Sequence, residues 1–173
     1  MHECCRQMDT DGFITTDDVD YLAILNKALN NIRCANDFNR VARKLQAVSA
    51  SADRIVVEFV VEEEHVNSKK TLHGGQTAAL VDMVTARAVG MSVRDRAMVS
   101  VELAVRYFYS YLLPVKLGEK IVVEATVLKI GRNIAFTEAE FRRKDDSRIV
   151  AKGKHTIAFV PKPITNGEPF EQF

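Results

Sequence analysis

The chain has no tryptophan, few cysteines and prolines, and no long apolar run in its 173 residues. Each shortage excludes something. Cys4 and Cys5 are adjacent, a poor geometry for a disulfide between them, and Cys34 is left over. No cysteine spacing suits a zinc site, and His65, His73 and His155 do not stand at metal-ligand spacing. Free thiols and a reducing compartment are expected, with neither metal nor cofactor. No segment approaches the roughly 20 apolar residues that span a bilayer. Excess charge is missing as well. The formal net charge is +1, so no overall field points to nucleic acid or an anionic membrane. The acidic start, with Asp9, Asp11, Asp17 and Asp18, suits neither a secretory signal nor an Arg-rich mitochondrial presequence. Neither a Gly-x-Ser-x-Gly elbow, a Walker loop nor a Rossmann fingerprint occurs.

What is present suffices for one sizeable core, since 47% of the residues are hydrophobic. Asp9 to Asp18 resembles half of a calcium loop, but Gln7 stands where its first acid belongs, and a helix cap at Thr15 or Thr16 is the preferred reading. From Asp17 to about Arg43 the period is helical, with Leu22, Leu25, Leu29, Ile32, Phe38, Val41 and Leu45 recurring. Breaks are expected at Asn30-Asn31 and Asn36-Asp37, giving two helices that cover a surface or meet a partner. From Gln46 the period becomes two. Arg54 to Glu64 reads as a strand with Ile55, Val57, Phe59 and Val61 on one face. Four more strands are expected, around Val99–Tyr107, Glu119–Ile130, Ile134–Arg143 and Arg148–Val160. The Pro-rich tail after Val160 reads as irregular. Strands joined by short turns around one long helix indicate an α+β domain.

That helix follows the polar elbow from Asn67 to Gly75. Gly75, Ala79, Asp82, Ala86 and Gly90 share one face, made of small residues and one acid. Asp is rarely buried without a partner, so a lone acid there is a candidate nucleophile or general base. The plain alternative is an Asp facing solvent. The first N–H groups of a helix lack internal partners, so the N–H of Gly74 can polarise a carbonyl, although Gly-Gly also suits a bare strand-to-helix corner. Ser100, read on the same face as Glu102 and Arg106, is a candidate for holding water near Asp82, and His73 orients or merely caps the elbow. Lys129 and Arg132, with Lys152 and Lys154, either grip phosphate or form a solvated hairpin tip.

The runs Glu62–Asn67, Thr71–Gly75, Ala79–Asp82, Val99–Val101, Lys116–Glu119, Ala135–Thr137 and Gly153–Thr156 together resemble the hotdog-fold acyl-CoA thioesterases. The branch is the phenylacetate type, which includes thioesterase superfamily member 2 (acyl-CoA thioesterase 13). The resemblance runs in register from about Asn36 to Thr156. It implies a hotdog fold, a long central helix wrapped by an antiparallel sheet, over residues 36–160. Residues 1–35 would be an added helical arm and 161–173 a tail. It implies hydrolysis of medium- or long-chain or aromatic acyl-CoA in the cytoplasm or the mitochondrion. It also implies a homodimer that completes the active site, stacked into a homotetramer. Asn67 and the N–H of Gly74 would polarise the thioester carbonyl. Asp82 of the other subunit would attack or activate water, Ser100 would hold that water and His73 the elbow. The coenzyme A moiety would meet Glu63, Ser100, Tyr107 and the turn Lys129, Ile130, Gly131, Arg132, Asn133 and Ile134. The chain departs from the family in its long ends, in about four extra residues near Tyr109–Leu113, and in apolar Ile157 and Ala158 where a second histidine belongs. A non-catalytic acyl-CoA binding module and a hotdog dehydratase are the alternative readings.

Overall fold

A computed structural model describes residues 19–108 and 114–160. The calcium-like segment, the expected cap at Thr15 or Thr16, the insertion at Tyr109–Leu113 and the tail lie outside the described residues.

Helix α1 (Tyr21–Arg33) starts at Asp20, whose carboxylate accepts from the N–H of Ala23. Its buried face is Leu25, Ala28, Leu29 and Ile32, so Leu22, expected there, is exposed. The expected break at Asn30-Asn31 does not occur. Leu29 and Ile32 are both buried on α1, and Asn30 accepts a hydrogen bond from Arg33, so the turn between them stays helical. The second expected helix is only a 3-10 turn, Phe38–Ala42, capped by Asp37, and its Phe38 is exposed.

Six antiparallel strands follow: β1 (Gln46–Ala50), β2 (Arg54–Val60), β3 (Ala97–Tyr107), β4 (Lys120–Ile130), β5 (Ile134–Arg143) and β6 (Ile149–Val160). Their order across the sheet is β1-β2-β4-β5-β6-β3. β2 is shorter than expected, because Glu63–His65 forms a 3-10 turn that leads into the elbow. The long helix α2 (Gly74–Ser92) lies on one face of the sheet. Its Leu80, Val81 and Val84 pack with Ile55, Val57, Ile121, Val123 and Phe141, and α1 adds Leu25 and Leu29 to the same core. The approach of α2 to β6 is close enough to require glycine. A Cβ on Gly153 would lie 2.4 Å from Val81. The outer face of the sheet is ionic. Glu58 bridges Lys120 and Lys144, Arg54 meets Glu124, and Glu140 meets Arg142 and Lys152.

One irregularity decides where the site lies. β3 and β6 shift register between Ser100 and Glu102, which leaves Val101 as a bulge. β4 and β5 shift between Val127 and Lys129, at the same level of the sheet. Opposed residues share a face. Ser100, opposite buried Ile157, therefore points to α2, whereas Glu102 and Arg106 point away. The expectation that Ser100 shares a face with Glu102 and Arg106 is thus corrected. The alternation of apolar and polar residues passes through the bulge without a mark.

Candidate active site

The elbow is built by its own side chains. The Asn67 carboxamide oxygen accepts from the N–H of Lys69 at 2.9 Å and of Thr71 at 3.3 Å, and its Nδ2 donates to Thr71 Oγ1 at 2.9 Å. An amide nitrogen has two hydrogens, so one remains for another acceptor. Lys70 takes a left-handed backbone (φ 59°) at the tip, and its ammonium pairs with Glu63. His73 is the N-cap of α2, with Nδ1 accepting from the N–H of Gly75 at 2.8 Å. The bond puts the ring's own proton on Nε2 when the imidazole is neutral. Neither Gly74 nor Gly75 has positive φ, so left-handed backbone is not the reason for this pair. Space is: a Cβ on Gly75 would come within 3.0 Å of the His73 ring. The Tyr107 hydroxyl donates to the carbonyl of Gly74 at 2.8 Å, and burial raises its phenol above the ordinary value. The N–H of Gly74 has no hydrogen-bond partner among the described residues.

Asp82 lies midway along α2. Ser100 Oγ donates to its Oδ1 at 2.6 Å, and His155 Nε2 lies 3.3 Å from the same oxygen. The Asp82 side chain remains 42% exposed. The Ser100 proton is therefore used on the carboxylate, and the hydroxyl oxygen is left to accept from water. His155 lies in the family-like run Gly153–Thr156 but is not among the site residues read from the sequence. It is a buried β6 residue whose Nδ1 lies 2.7 Å from Thr85 Oγ1, and burial holds its basicity below the usual value against the opposing field of Asp82. No local pattern marks it, because its partners come from a helix far upstream.

The remaining predicted residues are spread along the sheet. Within one chain, Gly74 and Asp82 are eight residues apart, about 12 Å along α2 at ~1.5 Å per residue. Glu63 and Asn67 flank the start of β4, whereas Lys129 to Ile134 turn at its far end, where Arg96 donates to the carbonyl of Arg132. A strand of that length spans about 33 Å. Lys152 and Lys154 do not join that turn. They point out from β6, and Lys152 is paired with Glu140. The described residues contain no group of three or more metal-ligating side chains.

A long helix laid across a six-stranded antiparallel sheet is the hotdog arrangement. Comparison with known proteins agrees. A family profile described as Thioesterase superfamily matches residues 69–150. Human acyl-coenzyme A thioesterase 13 is 39% identical over 132 residues, covering 76% of this chain and 91% of its own. A Caenorhabditis elegans protein is 48% identical over 168 residues, 95% of this chain and 97% of its own. The zebrafish thioesterase superfamily member 2 structure covers 80% of this chain and 98% of its own, with a TM-score of 0.75 at 35% identity. The mouse counterpart has a TM-score of 0.67 at 34% identity, covering 78% and 96%. The chain belongs to the thioesterase superfamily and is a thioester hydrolase of hotdog fold.

Proposed function

We propose that the chain hydrolyses fatty or aromatic acyl-coenzyme A thioesters to free acid and coenzyme A, with Asp82 as the reacting carboxylate. The observation that carries this is the state of that carboxylate. One oxygen is held by Ser100, and the half-exposed group keeps the other for chemistry. In the water route, Asp82 takes a proton from water as its oxygen attacks the thioester carbonyl. The C–S bond then breaks, and the thiolate leaves as coenzyme A. In the nucleophile route, an Asp82 oxygen bonds to the carbonyl carbon, the C–S bond breaks and coenzyme A leaves as thiolate, and water then cleaves the resulting anhydride to free acid and restored carboxylate. Either way the carbonyl oxygen gains charge, which suits the open N–H of Gly74 and the spare hydrogen of Asn67.

A thioester carbonyl cannot meet Gly74 and Asp82 of one chain across about 12 Å of helix. The complete site is therefore shared, with the elbow from one subunit and the acid from another. β3 supports such pairing: it is an eleven-residue edge strand on which Val99, Val101, Leu103 and Tyr107 are exposed. A two-fold partner would also bring its Lys129–Ile134 turn toward this chain's Glu63, as a shared coenzyme A contact requires. Stacking of two dimers into a tetramer completes the reading.

The test is thiol release from a panel of acyl-CoA esters, acetyl to palmitoyl and phenylacetyl, by the wild type and Asp82→Asn. Asp82→Asn is expected to lose at least about a hundredfold in kcat. Near-full activity of that variant refutes the mechanism. Binding without turnover by the wild type supports an acyl-CoA binding module instead.

A further inference from the structure

We infer that the cavity between α1 and α2 is a second ligand site, one that takes a small carboxylic acid on Arg87. The site does not depend on the hydrolysis of acyl-CoA. The cavity has a volume of about 330 Å³, and Arg87 of α2 lines it. Ala28 and Ile32 of α1 and Ala35 just after it give an apolar wall, and Asn31 and Asn39 add two carboxamides. None of Asn67, Gly74, Asp82 or Ser100 borders it.

Arg87 is the reason to expect an anion there. Its Nη1 donates to the Met83 carbonyl, one turn back on α2, at 3.2 Å. Its Nε is buried and has no hydrogen-bond partner. Among the described residues Arg87 makes no ion pair. Burial lowers its basicity, and the opposing field is that of Asp82, farther back along the same helix. A desolvated cation without a counter-ion is costly. A carboxylate presents two acceptor oxygens at the spacing of the guanidinium fork, so one ligand group can meet both the charge and unused N–H donors.

The surroundings narrow the ligand. Asp37 is the one acid on the wall, and its Oδ1 is engaged by the N–H of Asn39 at 2.8 Å. The carbonyl of Asp37 accepts from Arg40 and that of Ala35 from Arg43, so two further guanidinium groups stand at the rim. Cations therefore outnumber the acid. A single deep cation with an acid on the same wall suits a singly charged carboxylate better than a phosphate. The apolar wall suits a short alkyl tail. Ligand pockets begin at about 300 Å³, so this one fits a short-chain acid and not a coenzyme.

The probe is octanoate, titrated into the full chain by calorimetry, with arginine Nε–H resonances followed by 15N NMR. Wild type, Arg87→Met, Arg87→Lys and Asp82→Asn are compared, with octanol and inorganic phosphate as control ligands. Wild type and Asp82→Asn are expected to bind octanoate equally. The Arg87 Nε–H resonance, identified by its loss from Arg87→Met, is expected to shift on binding. Arg87→Met should weaken binding at least about tenfold, and Arg87→Lys, which keeps the charge but not the fork, should weaken it less. Octanol and phosphate should each bind at least about tenfold more weakly than octanoate. No saturable binding by the wild type, equal binding by Arg87→Met, or a preference for octanol or phosphate overturns the inference. Binding lost in Asp82→Asn but kept in the Arg87 variants puts the acid in the hydrolytic site and overturns it too. If Arg87→Met does not fold, Arg87→Lys and the wild-type resonances decide. Acyl-CoA hydrolysis that survives Asp82→Asn defeats the catalytic reading and leaves this site standing.

Discussion

A carboxylate helps to hydrolyse a thioester when one oxygen is fixed and the other is open. Ser100 supplies the fixing bond at 2.6 Å. Ser100→Ala is therefore expected to lower kcat about tenfold while leaving KM nearly unchanged, because a bond that matters most in the transition state is lost. Steady-state kinetics on a good acyl-CoA substrate checks this. The two buried histidines make a second prediction. Burial lowers the basicity of His65 and His155, against opposing fields from Glu64 and Glu62 at the first and from Asp82 at the second. As pH falls below the ordinary histidine value of about 6.5, the unfolded chain binds protons before the folded one does. Stability is thus fully present above that pH and declines below it. Thermal melts from pH 8 to pH 5 should show the decline, and His155→Gln should make it shallower. Asp82 stood out in the sequence as a candidate because it is alone among small residues. His155 did not, since only the folded sheet brings it to α2.

At the scale of the element, the contact of α2 with β6 is made at Val81 and Gly153. A Cβ at Gly153 would overlap a β-branched side chain that is buried on all sides. Gly153→Ala is expected to destabilise the fold by about 1–3 kcal/mol, the usual cost of overpacking. Urea denaturation measures it, and a loss under ~0.5 kcal/mol would show that α2 can shift away. The strands were legible because each half-buried face leaves a period of two, and β3 to β6 run within a residue or two of their expected limits. The helical arm was less so. Asn30-Asn31 carries the composition of a break, but two buried side chains on α1 outweigh it. The bulge at Ser100–Val101 was invisible, because a shift of pairing leaves the letters of a strand unchanged.

At the scale of the whole molecule, the proposed mechanism divides its site into two halves, an elbow at one end of α2 and an acid in its middle. Mixing Asn67→Ala chains with Asp82→Asn chains tests this. Each parent is impaired, but a mixed dimer has one site in which both elements are intact. After subunit exchange at equal amounts, about a quarter of wild-type activity should return, since about half of random dimers are mixed and each carries one good site. Activity no higher than the mean of the parents would place elbow and acid in the same chain. In the sequence, the proposed division rests on the family resemblance alone. Periodicity places residues on faces of one chain and is silent about a second.

The outer face of the sheet has a consequence of its own. Its carboxylates and cations are paired strand to strand, at Glu58, Glu124 and Glu140, so the surface is close to self-neutralised rather than bare. Among the described residues, the edge strand β3 instead offers unpaired backbone groups flanked by exposed Val99, Val101 and Leu103, with Glu102 and Arg106 among them. Ionic strength therefore acts on the two surfaces differently. Salt screens exposed ion pairs and leaves apolar contact largely intact. Raising salt would therefore loosen the pairs within each chain's ionic face while leaving a pairing along β3 largely intact.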